Sequence, residues 1–177
     1  LRMNTVRIGD LDVNRLGFGA MRVIDNGAIW GEPSDRGHAL KVLRRAQETV
    51  EAGVTMVRDL GGRDYAEFAV RRAVAEGLFP GPRILGAGRP VCMTGGHGNA
   101  IGREADGPDD ARKAVREQLK AGADVIKLIA TGGVMTPGVE PGSPQLTLEE
   151  MRAAIEEATK AGRRTAGTPS PGPGRSR

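Results

Sequence analysis

Residues 108–133 read PDDARKAVREQLKAGADVIKLIATGG, and this stretch decides the fold. Pro108, Asp109 and Asp110 open a helix, because proline suits a first turn and carboxylates suit the positive end of the helix dipole. The helix is expected to run to Ala121 and to stop at Gly122, since glycine takes the left-handed conformation that ends helices without steric cost. Asp124 to Ala130 then forms a short, largely apolar run of strand type, broken only by Lys127. The passage from helix through Lys120-Ala-Gly-Ala123 directly into a strand is the junction of a βα repeat. It recurs at Glu51-Ala-Gly-Val54.

Outward from that unit the same alternation continues. Ser34 or Asp35 caps a helix that reaches about Ala52, Val54–Asp59 is a buried-type strand, Tyr65–Glu76 a helix and Arg83–Ala87 a strand. Thr147 opens a final helix from Leu148 to Lys160, stopped by Gly162. Strands that alternate with helices of this length imply right-handed crossovers and a parallel sheet, with chemistry at the carboxyl ends of the strands. The loops to watch therefore follow Asp59, Ala87 and Ala130, and all are glycine-rich. At the other end, Val6 and Ile8 alternate into Gly9-Asp10 and on to Leu11 and Val13. That pattern predicts a β-hairpin, followed by a strand over Arg15–Met21.

Composition narrows the function classes. Aromatic residues make up only 3% of the 177 residues, so the core has to be aliphatic. The longest apolar runs fall far short of the roughly 20 residues that a membrane span needs, and Leu1–Asn4 lacks the apolar core of a secretory signal. Cys92 is the single cysteine and is expected to be a small buried residue; with no disulfide available, the cytoplasm is the expected compartment. The net charge of +4 raises the question of nucleic acid. The arginines, however, are spread along helices among acidic neighbours, so a solvated surface is expected rather than a specific nucleic-acid face.

Two family resemblances cover different parts of the chain. Residues 15–46, from Arg15-Leu-Gly-Phe-Gly-Ala-Met-Arg22 through Trp30-Gly-Glu-Pro33 to Leu43-Arg-Arg-Ala46, resemble the hairpin, first strand and first helix of an aldo/keto reductase. Residues 47–165 resemble the imidazolonepropionase-like and prolidase-like metal-dependent amidohydrolases. The motifs are Glu51-Ala-Gly-Val-Thr-Met-Val-Arg-Asp-Leu-Gly-Gly62, Gly81-Pro-Arg-Ile-Leu-Gly-Ala-Gly-Arg-Pro90, Thr94-Gly-Gly-His-Gly98 and Ala123-Asp-Val-Ile-Lys-Leu-Ile-Ala-Thr-Gly-Gly133. Both families are (β/α)8 TIM barrels, so the resemblance implies a partial, half barrel with parallel strands and an N-terminal hairpin. It implies a single domain over 1–165, in which a reductase-like first unit (1–46) is joined to amidohydrolase-like units (47–165). Residues 166–177, rich in Pro, Gly, Arg and Ser, are expected to be an irregular tail of the kind that a frame-shifted GC-rich reading produces, and the whole a recombined or laboratory-selected chain.

The amidohydrolase resemblance implies a hydrolase that uses a divalent ion, Zn2+ by expectation, on an amide, ester or phosphoester. Lys127 stands at the position where that family carries a carboxylated lysine; the His-x-His pair of its first strand and the histidines of its fifth and sixth are absent. Lys127, His97 and Asp59 are the candidate metal ligands, Asp59 and Lys127 the candidate catalytic groups, and His97 and Arg89 the candidate contacts to substrate. Each has a plain structural alternative. A buried ammonium must be paired or neutralised, so Lys127 is either carbamylated or paired with Asp59 or Glu140. His97 is equally readable as an exposed loop residue, Asp59 as a cap on Gly61-Gly62, and Arg89 as part of an ion pair. His38 is assigned no role.

A barrel of this kind needs eight strands in about 250 residues. Four strands would leave edges at Arg15–Met21 and Asp124–Ala130, and an open inner face including Leu16, Phe18, Val57, Leu85, Ile126 and Leu128 or their alternates. The expected partner is a second copy of the chain, in a homodimer or higher oligomer. The alternative is a catalytically silent barrel fragment.

Overall fold

The computed structural model describes residues 5–8, 11–14, 36–134 and 136–167. In chain order their elements are β1 (Thr5–Ile8), β2 (Leu11–Asn14), α1 (Arg36–Glu51), β3 (Met56–Asp59), α2 (Ala66–Ala75), β4 (Arg83–Gly86), β5 (Val91–Cys92) and β6 (Arg103–Glu104). Then come α3 (Pro108–Ala121), β7 (Val125–Leu128), α4 (Leu148–Lys160) and β8 (Arg164–Gly167). The expected strand at 15–21, with Leu16 and Phe18, lies outside the described residues. The chain divides into two compact units, residues 1–58 with 70–84, and residues 59–69 with 85–177.

In the first unit, β1 and β2 pair antiparallel, Thr5 opposite Asn14 and Ile8 opposite Leu11. β3 and β4 are hydrogen-bonded neighbours. Arg83 N donates to Thr55 O at 2.9 Å, and among residues of the second unit Ala87 N donates to Asp59 O at 3.0 Å, four residues further along each strand, as a parallel pair requires. β3 is not the buried strand that its apolar run predicts. Met56 is 44% exposed, Arg58 is exposed and Val57 only half-buried. Its apolar residues are consecutive while side chains alternate between faces, so one face of a two-stranded pair stays wet.

The second unit holds a parallel sheet in the order β6-β5-β7-β8. The amide of Asp124 also bonds Gly86 O at 2.8 Å, and Gly86 N bonds Asp124 Oδ2 at 3.1 Å, which sets the end of β4 beside the start of β7. The edge expected at Asp124–Ala130 is therefore corrected: β7 is interior, with β5 on one side and β8 on the other. β8 itself is a second correction, because Ala166 and Gly167 of the supposed irregular tail pair with Lys127 and Leu128. Proline first appears at Pro169, so the ladder donors of residues 164–167 are intact. The rest of that tail lies outside the described residues.

Two helices cover this sheet. α3 starts with Pro108 and two aspartates and ends at Gly122, whose φ of 100° directs its amide back to Gln118 O and Leu119 O. α4 begins with a complete capping box, Thr147 accepting from Glu150 N while the Glu150 carboxylate accepts from Thr147 N. The other Glu150 oxygen accepts from Gly107 N at 2.6 Å, joining the start of α4 to the start of α3. Arg103 on β6 forks between Asp110 and Glu117 of α3, each at 2.8 Å. The core is aliphatic as expected: Ile126 and Leu128 pack with Ala111, Ala114, Val115, Ala154 and Ala158, alanines that let the helices lie close to the sheet. Ile126 and Leu128 are thus on the helix side and not the inner face, and strand alternation puts Lys127 on the opposite face.

Candidate active site

Lys127 is 5% exposed in the middle of β7, opposite Ala166 of β8. Burial alone pushes its ammonium below the ordinary lysine range, with no nearby charge opposing the shift. Among the described residues neither Asp59 nor Glu140 pairs with it, so the ion-pair alternative is corrected. The reason is that Asp59 is used elsewhere: its Oδ1 accepts from Gly61 N at 2.8 Å, capping the turn after β3.

His97 stands in the loop after β5, half-buried, and is held from three sides. Its amide donates to Gln145 Oε1 at 2.9 Å, and its Nδ1 lies 2.9 Å from Thr136 Oγ1. Its ring lies over Gly133, so close that a Cβ there would come within 2.4 Å of Cε1. Thr136, Gln145 and Gly133 all belong to the segment after β7, whose base is closed by Gly132 N on Ser143 O at 2.8 Å and Gln145 N on Ala130 O at 2.9 Å. The loop after Lys127's own strand thus clasps His97. Sequence reasoning marked that loop by its glycines and missed Thr136 and Gln145. The only signal for them was their place downstream of Thr131-Gly-Gly133, at a carboxyl end of the sheet.

Arg89 is engaged in structure. Its guanidinium donates to the carbonyls of Ile101 and Gly102, and its amide donates to Gln118 Oε1 at 2.9 Å. Gln118 is fully buried on α3, so Arg89 fastens the loop after β5 to that helix. Cys92 is buried beneath Gly102, and desolvation, aided by Glu104, pushes its thiol up to about 11. It stays protonated at neutral pH and is unreactive. A further carboxylate that sequence reasoning passed over, Glu67 of α2, is buried against Gly62 and Gly86.

No hydrogen bond or ion pair among the described residues joins any two of Asp59, Arg89, His97 and Lys127. Nor does any group of three His, Cys, Asp or Glu side chains stand close enough to hold an ion among them. No described helix is long and apolar enough to cross a membrane.

The model of the amidohydrolase family matches residues 38–167. The chain belongs to the amidohydrolase family. Ochratoxinase of Aspergillus niger is 30% identical over 148 residues, covering 70% of this chain and 30% of that protein. Its crystal structure superposes with a TM-score of 0.67 at 28% identity, covering 76% of this chain and 36% of the other. A Xaa-Pro dipeptidase, solved with methionine in its active site, gives a TM-score of 0.68 at 32% identity, over 75% of this chain and 36% of the other. The chain therefore spans about a third of the length of these relatives. The mixed α/β arrangement with parallel strands matches part of the fold of these amidohydrolases. An uncharacterized oxidoreductase of Schizosaccharomyces pombe is also 40% identical, over 70 residues that make 40% of this chain and 22% of that protein.

Members of the amidohydrolase family generally use divalent metals. One donor position fits such an ion, Lys127, buried and without a carboxylate. Asp59 Oδ1 accepts from Gly61 N and His97 Nδ1 lies against Thr136 Oγ1, which leaves Asp59 Oδ2 and His97 Nε2 as the atoms that could meet one, but these side chains are not clustered. The described residues of one chain do not close a metal site.

Proposed function

We propose that this chain carries the lysine-bearing part of a metal-dependent hydrolase site acting on an amide, ester or phosphoester, with the amide bond of a Xaa-Pro dipeptide as the first substrate to try. The observation that carries the reading is Lys127, buried on β7 with no carboxylate partner among the described residues. A lysine whose ammonium is disfavoured by burial holds more of its neutral amine at a given pH. That amine can add CO2, releasing one proton and leaving a carbamate anion, the form that a cation would accept. The remaining donors must come from beyond the described residues of one chain, and a second copy in a homodimer is the source we propose. Similarity to a Xaa-Pro dipeptidase supports the choice of an amide bond.

A second reading is a catalytically silent barrel fragment. It goes with a chimeric origin, in which residues 15–46 derive from an aldo/keto reductase, supported by the likeness to a yeast oxidoreductase. One experiment separates the two. The purified chain is examined by light scattering, metal analysis and hydrolysis of Xaa-Pro dipeptides with Zn2+ or Mn2+ added. The hydrolase reading expects a dimer, close to one metal per chain and turnover abolished by Lys127→Ala. A cooperatively melting monomer with less than about a tenth of an equivalent of metal and no turnover would establish the silent fragment.

A further inference from the structure

We infer that the loop after β3 is a strained strap: Asp64 and Tyr65 are kept in left-handed backbone by a latch, the Arg63 guanidinium on the carbonyl of Ala100, and releasing that latch uncouples the loop after β3 from the loop after β5. Both loops stand at carboxyl ends of strands, where the chemistry of a parallel sheet sits. The strap stands whether or not the chain is a hydrolase.

Left-handed backbone brings Cβ against the following carbonyl oxygen and disfavours a non-glycine residue about tenfold. Asp64 has φ 58° and Tyr65 φ 57°, and among the described residues no other side-chain-bearing residue has a positive φ. Aspartate tolerates this region in single turns, whereas a bulky aromatic there is an outlier. Two such residues in succession disfavour the segment about a hundredfold, so contacts beyond the segment have to hold it. Three contacts do so. Arg63 Nη2 donates to Ala100 O at 2.8 Å, across 37 residues of chain. Gly62 N donates to Gly88 O at 3.1 Å. The Tyr65 ring stacks on Phe68 with centroids 5.6 Å apart and lies against Gly88, where a Cβ would stand 3.0 Å from its Cε1. The last two stay within α2 and the turns after β3 and β4; Arg63 alone of the three reaches the loop after β5. Arg63 and Asp64 are both exposed, so burial does not enforce the backbone at this end of the turn. A guanidinium–carbonyl bond at an exposed position favours the closed form about tenfold. That is less than the strain of the two residues together. The latch and the Tyr65 packing are therefore both needed, and loss of the latch tips the segment towards ordinary backbone.

The test uses the sign of a glycine substitution in the whole chain. In ordinary backbone glycine is less stable than alanine, because the unfolded chain gains more freedom; in left-handed backbone the order reverses. Asp64→Gly is expected to melt at a higher temperature than Asp64→Ala, two variants that lose the same carboxylate. In an Arg63→Ala background that advantage is expected to vanish, because the released segment leaves the left-handed region in both. Amide exchange followed by NMR reports the two loops separately, at Gly62 N, bonded to Gly88 O, and at Ile101 N, bonded to Gly98 O at 3.1 Å. Arg63→Ala is expected to speed exchange about tenfold at both, with Val115 of α3 unchanged. Should Arg63→Ala fail to fold, Arg63→Gln takes its place in every measurement. Asp64→Ala melting at or above Asp64→Gly, a glycine advantage that survives the loss of Arg63, or exchange at Gly62 and Ile101 that rises no more than at Val115 would each overturn the strap.

Discussion

β3 and β7 are both four-residue strands in parallel pairs, and both read as apolar runs, yet their burial is opposite. Every residue of Val125–Leu128 is buried, including the lysine; in Met56–Asp59 none is, and exposed residues alternate with half-buried ones. The difference lies in what surrounds each strand rather than in its composition. β7 has a strand on either side and the alanine faces of α3 and α4 against Ile126 and Leu128. Among the described residues β3 is paired with β4 alone. Helix ends follow the same division: α3 and α4 carry acidic first turns and a lysine in the last, while α1 has neither an acidic first turn nor a basic last one. A strand is buried by the layers that others supply, and those layers are held by caps and ion pairs legible residue by residue.

The largest test of that contrast is a matched pair of truncations. Ile126→Ala should cost about 3 kcal/mol, as deletion at a fully enclosed site does, and Val57→Ala less than about 1 kcal/mol, because Val57 already meets water. Equal losses in urea unfolding would show that the two strands are equally enclosed in solution. Next in size is Arg103→Met, which removes both ion pairs from β6 to α3 and should cost about 1–2 kcal/mol at neutral pH, after discounting for the solvent around Asp110 and Glu117. The Arg103 guanidinium holds both carboxyls below their ordinary values. Depressed folded values mean that the unfolded chain binds more protons in acid, so this stabilisation is complete above the ordinary carboxylate range of about 4 and fades as the pH falls through the folded values. The difference between parent and variant should therefore narrow below about pH 4. A constant gap across that range would mean that Arg103 acts by packing alone. The smallest effect is Thr147→Ala, expected to lower stability by about 1 kcal/mol through loss of the α4 cap. Should Tm instead stay unchanged, Glu150 and its bond to Gly107 hold the helix start without the threonine.

Much of this was open to sequence reasoning because it is local. The limits of α3 and α4 follow from Pro108, Gly122 and Thr147, whose effects act within one turn of chain. The βα alternation follows from the Ala-Gly junctions, and the place of Lys127 in a strand from the apolar residues on either side. The readings that failed concern neighbours. Asp124–Ala130 looked like an edge because the strand after Gly162 was discounted for its prolines, yet those begin only at Pro169, and Arg164–Gly167 pairs with β7 along its full length. Arg89 looked like an anion contact because an arginine before a proline in a glycine-rich loop has no local partner. Its partners are the carbonyls of residues 101 and 102, reached only when the loop folds back.

The candidate site divides along the same line. Sequence by itself determined that a lysine would interrupt the apolar strand of residues 125–129, that a histidine would sit between glycines in the loop after another strand, and that the core would be aliphatic, since these depend on residue type and short-range periodicity. Only the tertiary structure decided that Asp59 caps its own turn, that Lys127 has no described carboxylate to meet it, and that Thr136, Gln145 and Gly133 close around His97 across 36 to 48 residues of chain. Hydrogen bonds and close contacts of that kind depend on positions in space, and a chain's residue order specifies them only through the packing of every layer in between.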